Sequence, residues 1–440
     1  MPSIAGSCGR ASRPASPPTP WGIRPVSESD IADVAVVGAG MVGLSTAWFL
    51  QTHGVRVTVF DEATAGSGAS WGNAGWVAPS LSTPLTDPAM LVHGLRGLLR
   101  PNSPLFIPPR VDPGLWRFLL RFARHSTPAR WRAGLRSLLG VNALALPAFD
   151  ALAAGGVDGP IAEADPLVYA YADPSGAAAM VAEAQRLTEL GQRVDVEPLA
   201  LDQARRLAPI LSDRVRSTLS LHGQRFLDPP RYTAALADSV VRRGGVLRER
   251  WPVREVAAEG NGVRVHGRRH SERFDAVVIA NGVALPALAR RHGVRTPIRA
   301  ARGYSFSVAV DELPSGPVYF PACSVVATPI GERLRLAGTM EFRAHRAPLD
   351  QRRITAIIES VRPLLRGVHL DRRTEAWVGS RPSTSDGLPL AGRTRTPGVF
   401  VAGGHAMEGM TLGPVTGRLL AEAIVTGVTP AALAGFDPLR

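Results

Sequence analysis

Gly38, Gly40 and Gly43 fall in the run Gly38-Ala39-Gly40-Met41-Val42-Gly43, and an acidic pair, Asp61-Glu62, begins 23 positions after Gly38. Together these residues can bind a dinucleotide. Gly38 permits the tight turn, Gly40 lets the backbone approach a pyrophosphate, and Gly43 lets a helix pack close to a strand. Ala39 and Met41 are further candidate contacts of this turn, and the helix that follows would offer its unpaired N–H groups and positive dipole end to the phosphates. A carboxylate at Asp61, with Glu62 beside it, can accept from ribose hydroxyls.

The elements that must position these residues are legible on both sides. Residues 34–37 form a short apolar, β-branched run without polar alternation, as expected of a parallel strand buried on both faces. A helical pattern closed by Gly54 follows, then a second strand over 55–60. Residues 274–282, Phe-Asp-Ala-Val-Val-Ile-Ala-Asn-Gly, read as a further buried strand ending in a turn at Ala280 and Gly282. That strand is expected to lie beside the first.

Three other stretches carry candidate site residues. The run from Gly66 to Gly75, Gly-Ser-Gly-Ala-Ser-Trp-Gly-Asn-Ala-Gly, is dense in small residues. Its backbone can lie against a flat ligand, with Ser67, Gly68, Ser70 and Asn73 as the candidate contacts. Gly379-Ser380-Arg381-Pro382 leads to Asp386-Gly387. Gly403-Gly404-His405 leads through Glu408, Gly409, Met410, Thr411 and Leu412 to Gly413-Pro414. A helix is expected from Thr411 to Val425, with Pro414 in its first turn, where a missing N–H costs nothing.

Composition narrows the function further. The 440 residues are long enough for two or three domains. The formal net charge is +13, yet all 50 bases are arginine and most are scattered rather than striped. That distribution argues against nucleic-acid binding. Without lysine there is no Schiff-base or lysine general-base chemistry. Cys8 and Cys323 are the two cysteines, which excludes a disulfide framework and a cysteine metal cluster, and no metal site is expected. A reducing cytoplasm fits. No apolar stretch is expected to approach the ~20 residues that cross a bilayer, and residues 1–30 read as a disordered tail.

Residues 116–140 hold six arginines, several aromatics and no acid. They read as two amphipathic helices broken at Pro128, with docking on the inner face of a membrane or on a partner as the alternative. Residues 246–256 and 262–266 read as a hairpin pair, and 304–310 and 334–338 as alternating strands over a substrate cavity.

These motifs together resemble the FAD-dependent D-amino-acid oxidase superfamily, and within it the bacterial D-amino-acid dehydrogenases, over roughly residues 31–436. The resemblance implies an α/β fold in which a discontinuous Rossmann-type FAD-binding domain (31–90, 228–296 and 376–440) carries an inserted α+β substrate domain (91–227 and 297–375). It implies FAD, expected to be non-covalent because Cys323 falls in no pattern for covalent flavin attachment, and oxidation of the C–N bond of an amino acid, a D-amino acid by analogy, to an imino acid that hydrolyses to the 2-oxo acid. Electrons would pass to a quinone or other carrier. An oxidase of the glycine or sarcosine type using O2 is the alternative. The absence of the lysine that sarcosine-type oxidases place near the flavin favours the dehydrogenase. Arg381 matches the family arginine that grips the substrate carboxylate, a task suited to a guanidinium fork. Residues 409–412 would point a helix N-terminus at the flavin N1–C2=O edge. His405 and Tyr304 are further catalytic candidates.

Overall fold

The computed structural model describes residues 31–88, 105–107 and 112–440. The expected tail at 1–30 lies outside the described residues, as do residues 89–104 and 108–111.

The first strand, Asp33–Val37, is flanked in parallel by Arg56–Phe60 on one side and Ala276–Ile279 on the other. The sheet continues to Val246–Arg248 at one edge and through Val399–Gly403 to the antiparallel Leu390–Arg393 at the other. Three distant parts of the chain therefore build one sheet. Both its faces are covered, which is why its strands are apolar without alternation. Val34 and Val36 face a core with the helices Met41–Thr52, Pro229–Arg242 and Gly409–Thr426. Ala35 and Val37 face Val263, Val265, Leu285 and Leu288 on the opposite side. Burying each valine contributes roughly 1.5–3 kcal/mol, enough to lock the strand's register.

The helix Gly409–Thr426 packs on Met41–Thr52 through small residues one helical turn apart. A Cβ on Gly413 would sit 2.9 Å from Met41 Cγ, and one on Gly417 would sit 2.6 Å from the Thr46 nitrogen. This helix begins at Gly409, earlier than expected, so Pro414 lies inside it rather than in its first turn. The missing N–H leaves the Met410 carbonyl without that intrahelical donor.

A second, mixed sheet runs in the order Val368–Thr384, Ile298–Val310, Arg333–Phe342, Val325–Ile330, Val318–Phe320, Leu167–Tyr171, Ser217–Leu221, Val196–Leu199. Tyr304, Phe306 and Val308 face a core capped by the helix Gln351–Val361. The alternate residues Gly303, Ser305 and Ser307 look the other way. Ser305 Oγ donates to the Gly72 carbonyl at 2.8 Å and so ties this sheet to the glycine-rich loop. The strand Val368–Thr384 runs across the expected division at 376 and carries Arg381 near its end.

The stretch 246–256 is not one strand. Val246–Arg248 joins the nucleotide sheet, and Glu255–Glu259 forms a separate hairpin with Gly262–His266. Arg250 in a left-handed conformation and Pro252 interrupt the ladder between them. The basic stretch forms the helices Pro113–His125 and Pro128–Ala154, broken where expected, with Asp112 and Thr127 capping through Leu115 N and Arg130 N. Contrary to the expectation from sequence, Pro128–Ala154 is long and apolar enough to cross a membrane by length and composition. Its Leu138, Val141, Ala145, Ala148, Phe149 and Leu152 are buried in the main core instead.

Candidate active site

The nucleotide turn is built as the glycine spacing requires. Gly38 has φ +116° and its backbone lies against Ala280, where a Cβ would approach the carbonyl oxygen to 2.5 Å. A Cβ on Gly43 would fall 1.9 Å from the Gly38 carbonyl. Gly40 differs, because its nearest neighbour would be Ser70 Oγ at 3.6 Å. No protein atom requires glycine there, and the open approach at the start of a helix is what a pyrophosphate needs. Among the described residues Asn281 Oδ1 is buried without a partner at the adjoining turn, where Gly282 has φ +59°. An open cradle beside an orphaned acceptor fits a bound dinucleotide.

The other expected contacts sort into two groups. Met41 N donates to Ser70 Oγ at 3.3 Å, Gly66 N to the Ala39 carbonyl at 2.8 Å, and Gly75 N to Asn73 Oδ1 at 2.9 Å. The glycine-rich loop is thus folded onto the nucleotide turn. Its glycines answer mainly to protein neighbours, however: Gly72 faces the Trp377 ring, and Gly75 the Leu227 carbonyl. Ser67 is exposed and its hydroxyl donates to Thr64, while Gly68 has open space around it. Asp61 Oδ2 accepts from Ala39 N at 2.7 Å and Oδ1 from Ala63 N at 2.8 Å, and burial raises its pKa. The carboxylate holds the turn itself, with lone pairs left over for a ribose. Glu62 is exposed and pairs with Arg346.

Arg381 comes from the second sheet. Its guanidinium lies over Gly303, whose missing side chain makes the room: a Cβ there would meet Nη2 at 2.1 Å. Nη1 donates to the Thr339 carbonyl at 3.3 Å. Among the described residues no carboxylate lies within 4.0 Å of this guanidinium. Burial lowers its pKa to about 10, so it stays cationic at neutral pH, and Glu408 is the charge that supports it. Thr339 is a contact that the sequence did not flag. It has φ +59°, is buried, and its Oγ1 finds no hydrogen-bond partner among the described residues. Backbone held in that region by a non-glycine residue is strained, as is frequent at functional sites.

The third wall is the start of the C-terminal helix. Leu412 N donates to the Glu408 carbonyl, so the first turn leaves Gly409, Met410 and Thr411 as N–H donors without an intrahelical acceptor. Thr411 Oγ1 donates to the Trp76 carbonyl and accepts from Ala78 N, both at 3.3 Å, fastening the glycine-rich segment to this helix. Gly404 turns the chain at φ +74°.

Two candidates are placed elsewhere or in another role. Tyr304 points to the face of the sheet away from Arg381, into the helix-capped core, and its hydroxyl donates to Glu341. Burial and that bond push its pKa up to about 12. Side-chain alternation along the strand decides this: Gly303 and Tyr304 cannot share a face. Tyr304→Phe is expected to leave kcat/KM within about twofold and to lower stability by about 1–3 kcal/mol, as for a buried carboxylate losing a donor. Parallel kinetics and thermal melts check this. His405 is buried, with Nε2 2.9 Å from Thr416 Oγ1 and Nδ1 without a partner among the described residues. Burial lowers its pKa to about 4, so the imidazole is neutral and braces the loop against the helix.

With this geometry in place, the chain can be assigned: residues 33–423 match the DAO family of FAD-dependent oxidoreductases, and the chain belongs to that family. Among its relatives is a D-amino acid dehydrogenase of Dechloromonas aromatica, 30% identical over 411 residues that cover 89% of this chain and 96% of that protein. A second, from Cereibacter sphaeroides, is also 30% identical and covers 89% of this chain and 91% of its own length. The fold is shared with glycine oxidase from Geobacillus kaustophilus at TM-score 0.72 and 22% identity, covering 93% of this chain and 98% of that one. It is shared too with L-proline dehydrogenase from P. horikoshii at TM-score 0.65 and 17% identity, covering 93% and 97%. The protein is an FAD-dependent oxidoreductase with a Rossmann-type cofactor domain.

Proposed function

We propose that this protein oxidises the C–N bond of an amino acid, a D-amino acid by its relatives' activity, and passes the electrons to a quinone or another carrier. The observation that carries this reading is Arg381: a part-buried guanidinium, given its space by Gly303, with no carboxylate within ion-pairing reach among the described residues. Burying an unpaired cation costs several kcal/mol unless an anion arrives to offset it. A substrate carboxylate is such an anion, and the guanidinium fork grips it with two parallel bonds.

When bound, FAD supplies the electron sink for the two electrons of the C–H bond. The chain supplies position and field. The turn at residues 38–43 and the Asn281 acceptor would hold the dinucleotide. The N–H donors of Gly409, Met410 and Thr411 would stabilise negative charge at the end of the cofactor that they face. Arg381 orients the α-carbon by anchoring the neighbouring carboxylate.

For the acceptor, we propose a membrane quinone. Trp116 and Leu120 stand 54% and 55% exposed on the helix Pro113–His125, one turn apart, with Arg117, Arg121 and Arg124 exposed on the same element. An apolar strip among arginines suits the surface of an anionic bilayer. The test of the proposed function is a panel of D- and L-amino acids and N-methylglycine mixed anaerobically with the holoenzyme. A D-amino acid is expected to bleach the flavin absorbance, and reoxidation by a soluble quinone should outpace that by O2. A flavin that stays oxidised with every member of the panel would end the reading, and rapid stoichiometric peroxide would turn it into an oxidase.

A further inference from the structure

The substrate must shed a proton before it can be oxidised. An amino acid at neutral pH is a zwitterion, and hydride can leave the α-carbon only if the nitrogen lone pair can form the C=N bond. The ammonium has no lone pair. The usual candidates for taking that proton are absent or engaged. The chain has no lysine. Tyr304 lies on the far face of the sheet, and His405 is enclosed against Thr416.

Glu408 remains. It precedes the first turn of the C-terminal helix, the element beside the cofactor turn. Ser82 Oγ donates to its Oε2 at 2.6 Å and fixes the carboxylate. Ala406 N donates to the Pro382 carbonyl at 3.0 Å and so joins the segment of Glu408 to that of Arg381; the two charges act on one another, yet they form no ion pair within 4.0 Å. Opposite charges held apart at one site are what a zwitterion bridges, its carboxylate toward the guanidinium and its ammonium toward the glutamate. We propose that Glu408 binds the substrate ammonium and accepts its proton: one N–H bond breaks, one O–H bond forms on the carboxylate, and the free amine is left with its lone pair. This rests on the amino-acid reading above.

The surroundings suit that task. Burial raises the Glu408 pKa to about 7, against the opposing pull of the Ser82 bond and the Arg381 charge. A base tuned near the working pH transfers protons most effectively. Among the described residues, the titratable groups facing it are few. His405 belongs to its own segment and Arg381 to the strand Val368–Thr384. Glu408 and His405 also line a small cavity with Thr83, Leu85, Leu138, Pro389 and Leu412, none of them charged, and Arg381 is outside that lining. Asp386, next to the lining residue Gly387, is taken up by Arg440.

Glu408→Gln is the test, because glutamine keeps the shape and an oxygen for Ser82. In the wild type, kcat/KM for the fastest amino acid of the panel should rise with pH through about 7, as the carboxyl ionises. In Glu408→Gln it should fall on the order of a hundredfold at pH 8, and that rise should vanish, while flavin content and melting temperature hold. Propionate, titrated into the holoenzyme and followed by the flavin spectrum, should bind at least threefold tighter in the variant, because a negative charge near Arg381 is gone. A structural role cannot weaken the zwitterion and strengthen the plain anion together. Glu408→Asp should restore part of the pH limb. A variant that keeps the wild-type kcat/KM and pH limb, or that loses propionate affinity, overturns the inference while leaving the amino-acid reading intact. A wild-type flavin untouched by every amino acid overturns both.

Discussion

Alanine in place of Arg381 is expected to give a folded, yellow protein whose kcat/KM has fallen at least thirtyfold. The guanidinium is the anchor proposed for the substrate carboxylate, and a charge-assisted bidentate bond of this kind contributes roughly 2–4 kcal/mol to transition-state binding. The loss should divide unevenly. An anchor that holds the substrate equally in ground and transition states would raise KM alone, whereas one that aligns the α-carbon would lower kcat as well. We expect both, since the arginine is itself fixed by the Thr339 carbonyl and by the gap at Gly303. Arg381→Lys should recover charge without the fork and so only part of the loss. Flavin content should be unchanged, because the cofactor turn lies in the other sheet. Near-normal turnover of an amino acid by the alanine variant would remove Arg381 from the substrate site.

The second large effect is expected at Gly43. A methyl group there would sit 1.9 Å from the Gly38 carbonyl oxygen, and its neighbour is backbone that cannot swing aside. The helix Met41–Thr52 would have to move off the first strand, withdrawing its N-terminus from the phosphates and disturbing its packing on the helix Gly409–Thr426. Overpacking of this kind costs ~1–3 kcal/mol, and the cofactor reports the same displacement. Gly43→Ala should therefore purify largely without flavin, with FAD affinity lowered ~10–100-fold and a lower melting temperature. Absorbance at the flavin band relative to protein, together with FAD titration of the apoprotein, measures it. A variant with full flavin occupancy would show that the helix can shift without cost. Gly40→Ala provides the contrast. It has room in the protein, so it should fold normally and lose affinity only through the crowded pyrophosphate.

These two positions mark different degrees of legibility. The Gly43 requirement can be read from six consecutive residues because strand, turn and helix are consecutive, and the contacts that demand glycine are made within a few residues of one another. The buried strand at 276–279 was equally plain, since an unbroken apolar run has few other uses. Pro414 shows the limit of local reading: its fixed φ suits a first turn, but the packing of Gly413 and Gly417 on Met41 and Thr46 carried the helix back to Gly409. The stretch 246–256 departs from the expected single strand for the same reason. Its apolar pattern says strand, while Arg250 and Pro252 break it and the parallel ladder with Arg56–Phe60 claims only its first part.

By itself, then, the sequence determined the dinucleotide turn, the buried parallel strands, the absence of lysine chemistry and the kinship of its C-terminal runs, because each of these is a matter of residue type over a short span. Tertiary structure alone decided which face Tyr304 takes, that Asp61 spends its oxygens on the turn, that Thr339 braces Arg381, and that Glu408 and Arg381 sense one another from different elements. Those outcomes depend on strand register and on the meeting of two sheets. A one-residue change of register exchanges the faces of a strand, so no inspection of neighbours along the chain could have settled them.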